Sequence, residues 1–119
     1  MKILLIKPGG REPEETDIGE QLEDLQAVVG GYIEIATRFS DGTVLLCNEE
    51  GKLLGLPTNR YLTYSDGTLF DLLVGNLFIC GAAGSDFVSL TDTQIAAARR
   101  RIQPLKIITE MEAGWLHES

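Results

Sequence analysis

The stretch CNEEGKLLGLPTNR, Cys47 to Arg60, gathers two adjacent carboxylates, a lysine and two asparagines, the second followed by an arginine, among leucines and glycines. Paired carboxylates suggest general acid–base work, and a glycosidase-type pair sits about 5–9.5 Å apart across one cleft. Glu49 and Glu50 are neighbours near a turn, where side chains diverge, so both are expected in solvent. A Ser-His-Asp or Cys-His nucleophile would have to recruit His117, the one histidine of the sequence, from near its C-terminal end. Cys47 has no basic neighbour in sequence to lower its pKa. Cys47, Cys80 and His117 fall short of the four ligands of a structural zinc site. The stretch GGRE at Gly9 stands between an expected strand and an expected helix, the order of a phosphate cradle. Its glycines lack dinucleotide or P-loop spacing, and the acids that follow repel phosphate. No catalytic residue, metal ligand or cofactor site is assigned, and the chain is expected not to be an enzyme.

Arg60 is the side chain of this stretch that chemistry could use for recognition. One role is structural, pairing with a carboxylate or capping carbonyls. The other is a guanidinium fork for a partner's carboxylate or phosphate. Tyr32 and Glu34 could line the same surface, so the candidate binding surface is Tyr32, Glu34, Asn48, Glu49, Asn59 and Arg60. If Arg60 is the fork, reversing its charge abolishes binding and leaves the melting temperature near wild type.

The elements that must position these residues follow from length and pattern. A chain of 119 residues, 44% hydrophobic, suits one domain with a real core. No apolar run approaches the roughly 18 residues of a membrane span. The N-terminal MKILLIKPGG has too short an apolar run for a signal sequence, whose hydrophobic region needs about 7–15 residues. It reads as a first strand, and a cytoplasmic location is expected. Both cysteines sit in strand-like surroundings, VLLCN and LFICG, and are expected as free, buried thiols. The net charge of −8 comes from 18 acids and 10 bases and disfavours a nucleic-acid surface. Glu12 to Asp24 carries acids and no base, which suits a basic partner. Arg99 to Arg101 suit the end of a helix meeting solvent.

Ile3 to Ile6 read as a buried strand ended by Pro8, Gly9 and Gly10. A helix is expected from an N-cap at Asp17 with Glu20 behind it, burying Ile18, Leu22, Leu25 and Val29 and stopping at Gly30 or Gly31. Asp41-Gly42 predicts a two-residue hairpin in which Ser40 faces Thr43, Phe39 faces Val44 and Thr37 faces Leu46. Ile33, Ile35, Thr37 and Phe39 then share the helix-packed face with Val44, Leu46 and Asn48. The opposite face, with Tyr32, Glu34, Ala36, Arg38, Leu45 and Cys47, is mixed and expected half exposed or in an interface. Asn48 is placed to bond its own backbone two residues on, and Gly51 to take a left-handed conformation. Asp66-Gly67 marks a short hairpin or a turn into a longer strand, which Gly75 interrupts as a bulge or close approach. Leu77 to Cys80 are expected to form a central strand. Thr91 caps a second helix in a capping box with Gln94, stapled by Leu90 and Ile95, with Ile95, Ala98 and Ile102 buried and Pro104 beyond its end. The sum is an α+β fold, a small, mostly antiparallel sheet with two helices packed on it. Residues 1–103 are taken as the domain and 104–119 as an extension, a strand plus a loose tail.

LQAVVGGYIE (Leu25 to Glu34), LLCNEEGKLLGLPTNR (Leu45 to Arg60), DLLVGNLFICG (Asp71 to Gly81) and DFVSLTDTQI (Asp86 to Ile95) together resemble the domain of unknown function 3846 family, over roughly residues 1–103. The resemblance implies a setting in gut bacteria, often on phages and conjugative elements and sometimes near anti-restriction genes. It carries no reaction with it. The expected function is a non-enzymatic binding or accessory protein acting by protein–protein interaction, with an unknown, basic partner. Homo-oligomers through an exposed strand edge or the mixed face are also expected. The alternative is a protein that binds or sequesters a nucleotide-like small molecule through Asn48, Asn59 and Arg60.

Overall fold

The computed structural model describes residues 1–109, and these form two sheets and two helices. The first sheet contains β1 (Lys2–Ile6), β2 (Glu14–Asp17), β3 (Ile33–Arg38), β4 (Thr43–Asn48), β7 (Leu77–Ala83) and β8 (Asp86–Val88). Its order is β2-β1-β7-β4-β3, with β8 extending the β1 side of β7, and every pairing in it is antiparallel. The second sheet has the order β6-β5-β9, from β5 (Thr58–Thr63), β6 (Leu69–Val74) and β9 (Lys106–Ile108). Its β5–β9 pairing is parallel. The fold is α+β and mostly antiparallel as expected, but nine strands in two sheets among the described residues replace the single small sheet.

β7 is central because its residues alternate between two covered faces. Leu77 and Ile79 face one side, Phe78 and Cys80 the other, and all four are fully buried. Helix α1 (Leu22–Val29) covers the Phe78 side, burying Leu25 and Val29 against Ile3, Val44 and Leu46. On the Leu77 side, Leu4, Ile6 and Leu45 meet Leu62, Leu73 and Ile107 of the second sheet. Helix α2 (Asp92–Arg101) closes that layer with Ile95 and Ala98, joined by Ile102 just beyond its end. Its capping box forms as expected. The Thr91 hydroxyl accepts from the Gln94 N–H at 3.2 Å, and Gln94 Oε1 accepts from the Thr91 N–H at 3.0 Å.

Helix α1 starts later than the spacing predicts. Glu14–Asp17 is an edge strand on β1, not a helix start, and Asp24 accepts from the Gln21 N–H at 3.0 Å to cap the helix instead of Asp17. The edge of β1 needs a ladder partner, and two acids of β2 lie within 4 Å of bases, Lys7–Glu14 at 3.7 Å and Lys2–Glu15 at 3.8 Å. Arg99 on α2 adds a bond to Pro13 O at 3.0 Å and a longer contact to Glu15.

The Asp41-Gly42 hairpin exists with a different register. Its loop has three residues, because Phe39 N–H donates to Thr43 O at 2.9 Å and Gly42 takes φ +82°. Ala36 is an extra residue on β3, a bulge between Ile35↔Leu46 and Thr37↔Leu45. Ile33 and Ile35 therefore keep the helix side, as expected, while Thr37 and Phe39 move to the other face. The mixed face is not open along its length. Phe39 and Leu45 belong to the core between the sheets, and Ala36 and Cys47 pack against it.

Asp66-Gly67 closes a second three-residue hairpin, between β5 and β6, with Tyr64 N–H donating to Thr68 O at 2.9 Å and Gly67 at φ +87°. Both loops read Ser-Asp-Gly-Thr, a repetition that the pattern of apolar runs does not reveal. Gly75, at φ +71°, is the point where the chain leaves β6 for β7 and changes sheets, so the expected long strand is two strands. Gly51 does not take the left-handed position; Gly55 does, at φ +66°. Gly51 instead allows close approach, since a Cβ there would stand 2.8 Å from Val74 Cγ2. The expected strand after Pro104 is β9. The expected loose tail, from residue 110 on, lies outside the described residues, as does His117.

Candidate functional site

β3 ends the first sheet and β6 ends the second, and the two terminal strands border one open cleft of about 260 Å3. Glu34 reaches it from β3, opposite Cys47 of β4 in the ladder. Glu49, Lys52 and Leu53 come from the loop that joins the two sheets, and Phe70 and Asp71 from β6. The cleft thus holds three carboxylates and one ammonium. Leu53 is 87% exposed and Phe70 41%, which leaves apolar surface at its rim.

Lys52 Nζ lies 2.5 Å from Asp71 Oδ1, and the same oxygen accepts from the Leu72 N–H at 2.8 Å. The hydrogen bond to Asp71 raises the Lys52 pKa first, and the negative charges of Asp71 and Glu34 add to it against a small cost of burial. Among the described residues neither Glu34 nor Glu49 accepts a hydrogen bond or joins an ion pair. The Cys47 thiol is pushed up to about 11, first by burial and then by Glu34 and Asp71, with Lys52 opposing. A thiol so shifted is neutral at neutral pH and a poor nucleophile. Glu50, next to Glu49 in sequence, does not line the cleft.

The six residues singled out from the sequence separate. Glu34, Asn48 and Glu49 line the cleft. Asn48 is structural there: its amide donates to Val29 O at 3.0 Å, tying the end of α1, and its Oδ1 accepts from the Glu50 N–H at 2.8 Å, the expected bond two residues on. Tyr32 is 63% exposed outside the cleft, and its carbonyl accepts from the Glu49 N–H at 2.8 Å.

Asn59 and Arg60 are buried elsewhere. Asn59 is an extra residue on β5, between Thr58↔Val74 and Arg60↔Leu73, so two successive side chains turn inward. Asn59 Nδ2 donates to Ile6 O at 2.9 Å and to Gly75 O at 2.7 Å, joining the end of β1 to the turn where the sheets exchange. Arg60 is 2% exposed. Its Nε donates to Gln103 O at 2.6 Å, Nη1 to Asn59 Oδ1 at 2.8 Å and to Lys7 O at 3.3 Å, and Nη2 to Arg11 O. Burial lowers its pKa and the Glu12 charge opposes that. The guanidinium caps carbonyls inside the fold and offers no fork to solvent. Asn48, Asn59 and Arg60 do not converge on one pocket.

Lys52, Leu53, Phe70 and Asp71 were absent from the sequence-derived surface. Lys52 and Leu53 lie in the stretch already marked as polar. A lone acid inside the apolar run LFDLLV was the signal for Asp71. A wider groove of about 550 Å3 runs beside the start of α1 and β8, and shares none of these side chains. Among the described residues no group of three or more His, Cys, Asp or Glu is placed to hold a metal ion, and no helix is long and apolar enough to cross a membrane.

A family model described as Domain of unknown function (DUF3846) matches residues 1–103. No curated protein and no solved structure matches the chain.

Proposed function

We propose, from the premise that the chain belongs to the domain of unknown function 3846 family, that it acts in the cytoplasm as a non-enzymatic binding protein. Its partner is another protein with a basic surface. An accessory role on a phage or conjugative element, against a host defence protein, fits the setting that the family resemblance implies. The observation that supports binding is the cleft between β3 and β6, where among the described residues Glu34 and Glu49 form no ion pair and stand beside exposed Leu53 and Phe70. An open groove with excess negative charge and apolar rim residues suits a basic protein surface better than a phosphate.

The acids of residues 12–24 contribute less than their number suggests, because Glu14 and Glu15 already face Lys7, Lys2 and Arg99. The immobilised chain, offered host lysate, is expected to retain a basic protein that salt releases, as screening shortens the reach of charge from about 10 Å at 0.1 M to about 3 Å at 1 M. The captured protein, purified, should bind again on its own. A saturable rise in melting temperature with a nucleotide, or turnover of any substrate by the purified chain, would overturn the proposal.

A further inference from the structure

Among the described residues the β6 side of the cleft is an unpaired sheet edge with a plug in it. β6 is the last strand of its sheet. The Leu72 N–H does not enter the β5 ladder; it donates to the carboxylate of Asp71 at 2.8 Å. Lys52 sits on that same oxygen. One acid therefore caps an edge donor, and the one base of the cleft neutralises that acid. Across the groove Glu34 feels the Lys52 charge only through space, and among the described residues neither it nor Glu49 forms an ion pair.

Resting on the binding function proposed above, we infer that the cleft takes an extended, arginine- or lysine-bearing segment of the partner, added as a strand alongside β6, with Lys52 as the internal cation that the segment displaces from Asp71. A carbonyl of the incoming strand then accepts from Leu72, as strand addition to a free edge requires. Its basic side chains meet Asp71, Glu34 and Glu49, and alternate apolar side chains meet Leu53 and Phe70. A second copy of this chain is a poor occupant. The net charge is −8, and Lys2, Lys7, Arg60, Arg99 and Arg101 are already engaged within the fold.

The test is fluorescence anisotropy with a labelled short peptide alternating arginine and valine. The wild-type chain is expected to bind it, and to ignore the same peptide with glutamate for arginine. E34Q combined with D71N should weaken binding by about tenfold or more. K52Q should tighten it by about threefold, since it frees Asp71 at the cost of one exposed ion pair. The opposite signs separate recognition from unfolding, because a merely destabilised variant cannot bind better. Equal binding of both peptides, no response to E34Q with D71N, or weaker binding by K52Q overturns the inference. So does self-association of D71N in sedimentation, which would make the plug a guard against pairing between copies. If the partner captured from lysate stays bound to the E34Q, D71N chain, the cleft is the wrong surface and the binding function stands. If that partner fails to bind again when purified, the function falls as well.

Discussion

Arg60 decides between two chemistries on burial alone. An exposed guanidinium could serve a partner; this one holds three backbone carbonyls and an amide oxygen inside the fold. Each of those acceptors loses about 1–3 kcal/mol if left buried and unpaired, though water recovers part of it at the half-open ones. Arg60→Met is therefore expected to cost roughly 3 kcal/mol or more, read as a lower urea midpoint with an unchanged slope. By the usual proportion that is a fall in melting temperature on the order of 10 °C. Arg60→Lys should recover only part, because a point charge cannot reach donors set in a planar fork. A variant that unfolds with the wild-type midpoint would return Arg60 to the surface. The sequence contains the arginine but not its depth, which follows from Asn59, an extra residue on β5 that turns both side chains inward.

The two Ser-Asp-Gly-Thr loops show what one turn is worth in two settings. In both, the aspartate caps the backbone two residues on: Asp41 takes the Thr43 N–H at 3.2 Å and its hydroxyl at 2.6 Å, and Asp66 takes the Thr68 N–H at 2.9 Å. Among the described residues only the first is also held by a helix. Gln94 of α2 donates to Asp41 O at 3.0 Å, and Arg101 reaches Asp41 Oδ2 at 3.4 Å while lying 4.6 Å over the Phe39 ring. Burial raises the Asp41 pKa, but the Thr43 bonds and the Arg101 charge outweigh it and the net direction is down from 3.8. A carboxyl lowered on folding stabilises above its unfolded pKa, and that stability is lost as pH falls from about 4 through the folded value. Asp41→Asn is expected to cost about 1–2 kcal/mol at pH 7 and to flatten the loss of stability between pH 4 and pH 2. Asp66→Asn should do much less, its carboxylate being in solvent. Equal acid limbs for wild type and Asp41→Asn would remove Arg101 from the account. Helix α2 and both turns were legible in the sequence because their signals are local: a cap, a staple, an Asp-Gly pair. The hairpin register was not, since a third loop residue and the Ala36 bulge move it. Edge strands β2 and β8 were not, since only pairing with distant β1 and β7 makes them strands. Half of the cleft was hidden for the same reason: Glu49 stands in the marked stretch and Glu34 on the hairpin strand that pairs with its start, while Phe70 and Asp71 reach them only once two sheets exist.

At the scale of the molecule, the boundary suggested by the family match and the boundary of the fold disagree. The match ends at residue 103, yet β9 follows it and lies parallel to β5, pairing Leu62 with Ile107. Ile107 is fully buried in the core between the sheets. Tyr61 N–H donates to Leu105 O at 3.0 Å, Thr109 N–H to Thr63 O at 2.8 Å, and Gln103 N–H to Lys106 O at 2.8 Å. A buried isoleucine is worth about 2–3 kcal/mol and each backbone bond about 1 kcal/mol. A chain ended after Gln103 is thus expected to be about 4 kcal/mol or more less stable than one ended after Thr109. That is a large share of the roughly 5–15 kcal/mol that holds a domain together. Without β9 the edge of β5 also opens, so the shorter chain should aggregate at concentrations where the longer one stays monodisperse. Urea unfolding of the two chains side by side checks the difference. Equal midpoints would make residues 104–109 an appendage and place the whole domain within the matched 103 residues. A gap of the expected size makes β9 the third strand that the β5–β6 hairpin needs to stand as a sheet, since a lone hairpin is marginal in water. The cleft wall carrying Phe70 and Asp71 would then depend on it.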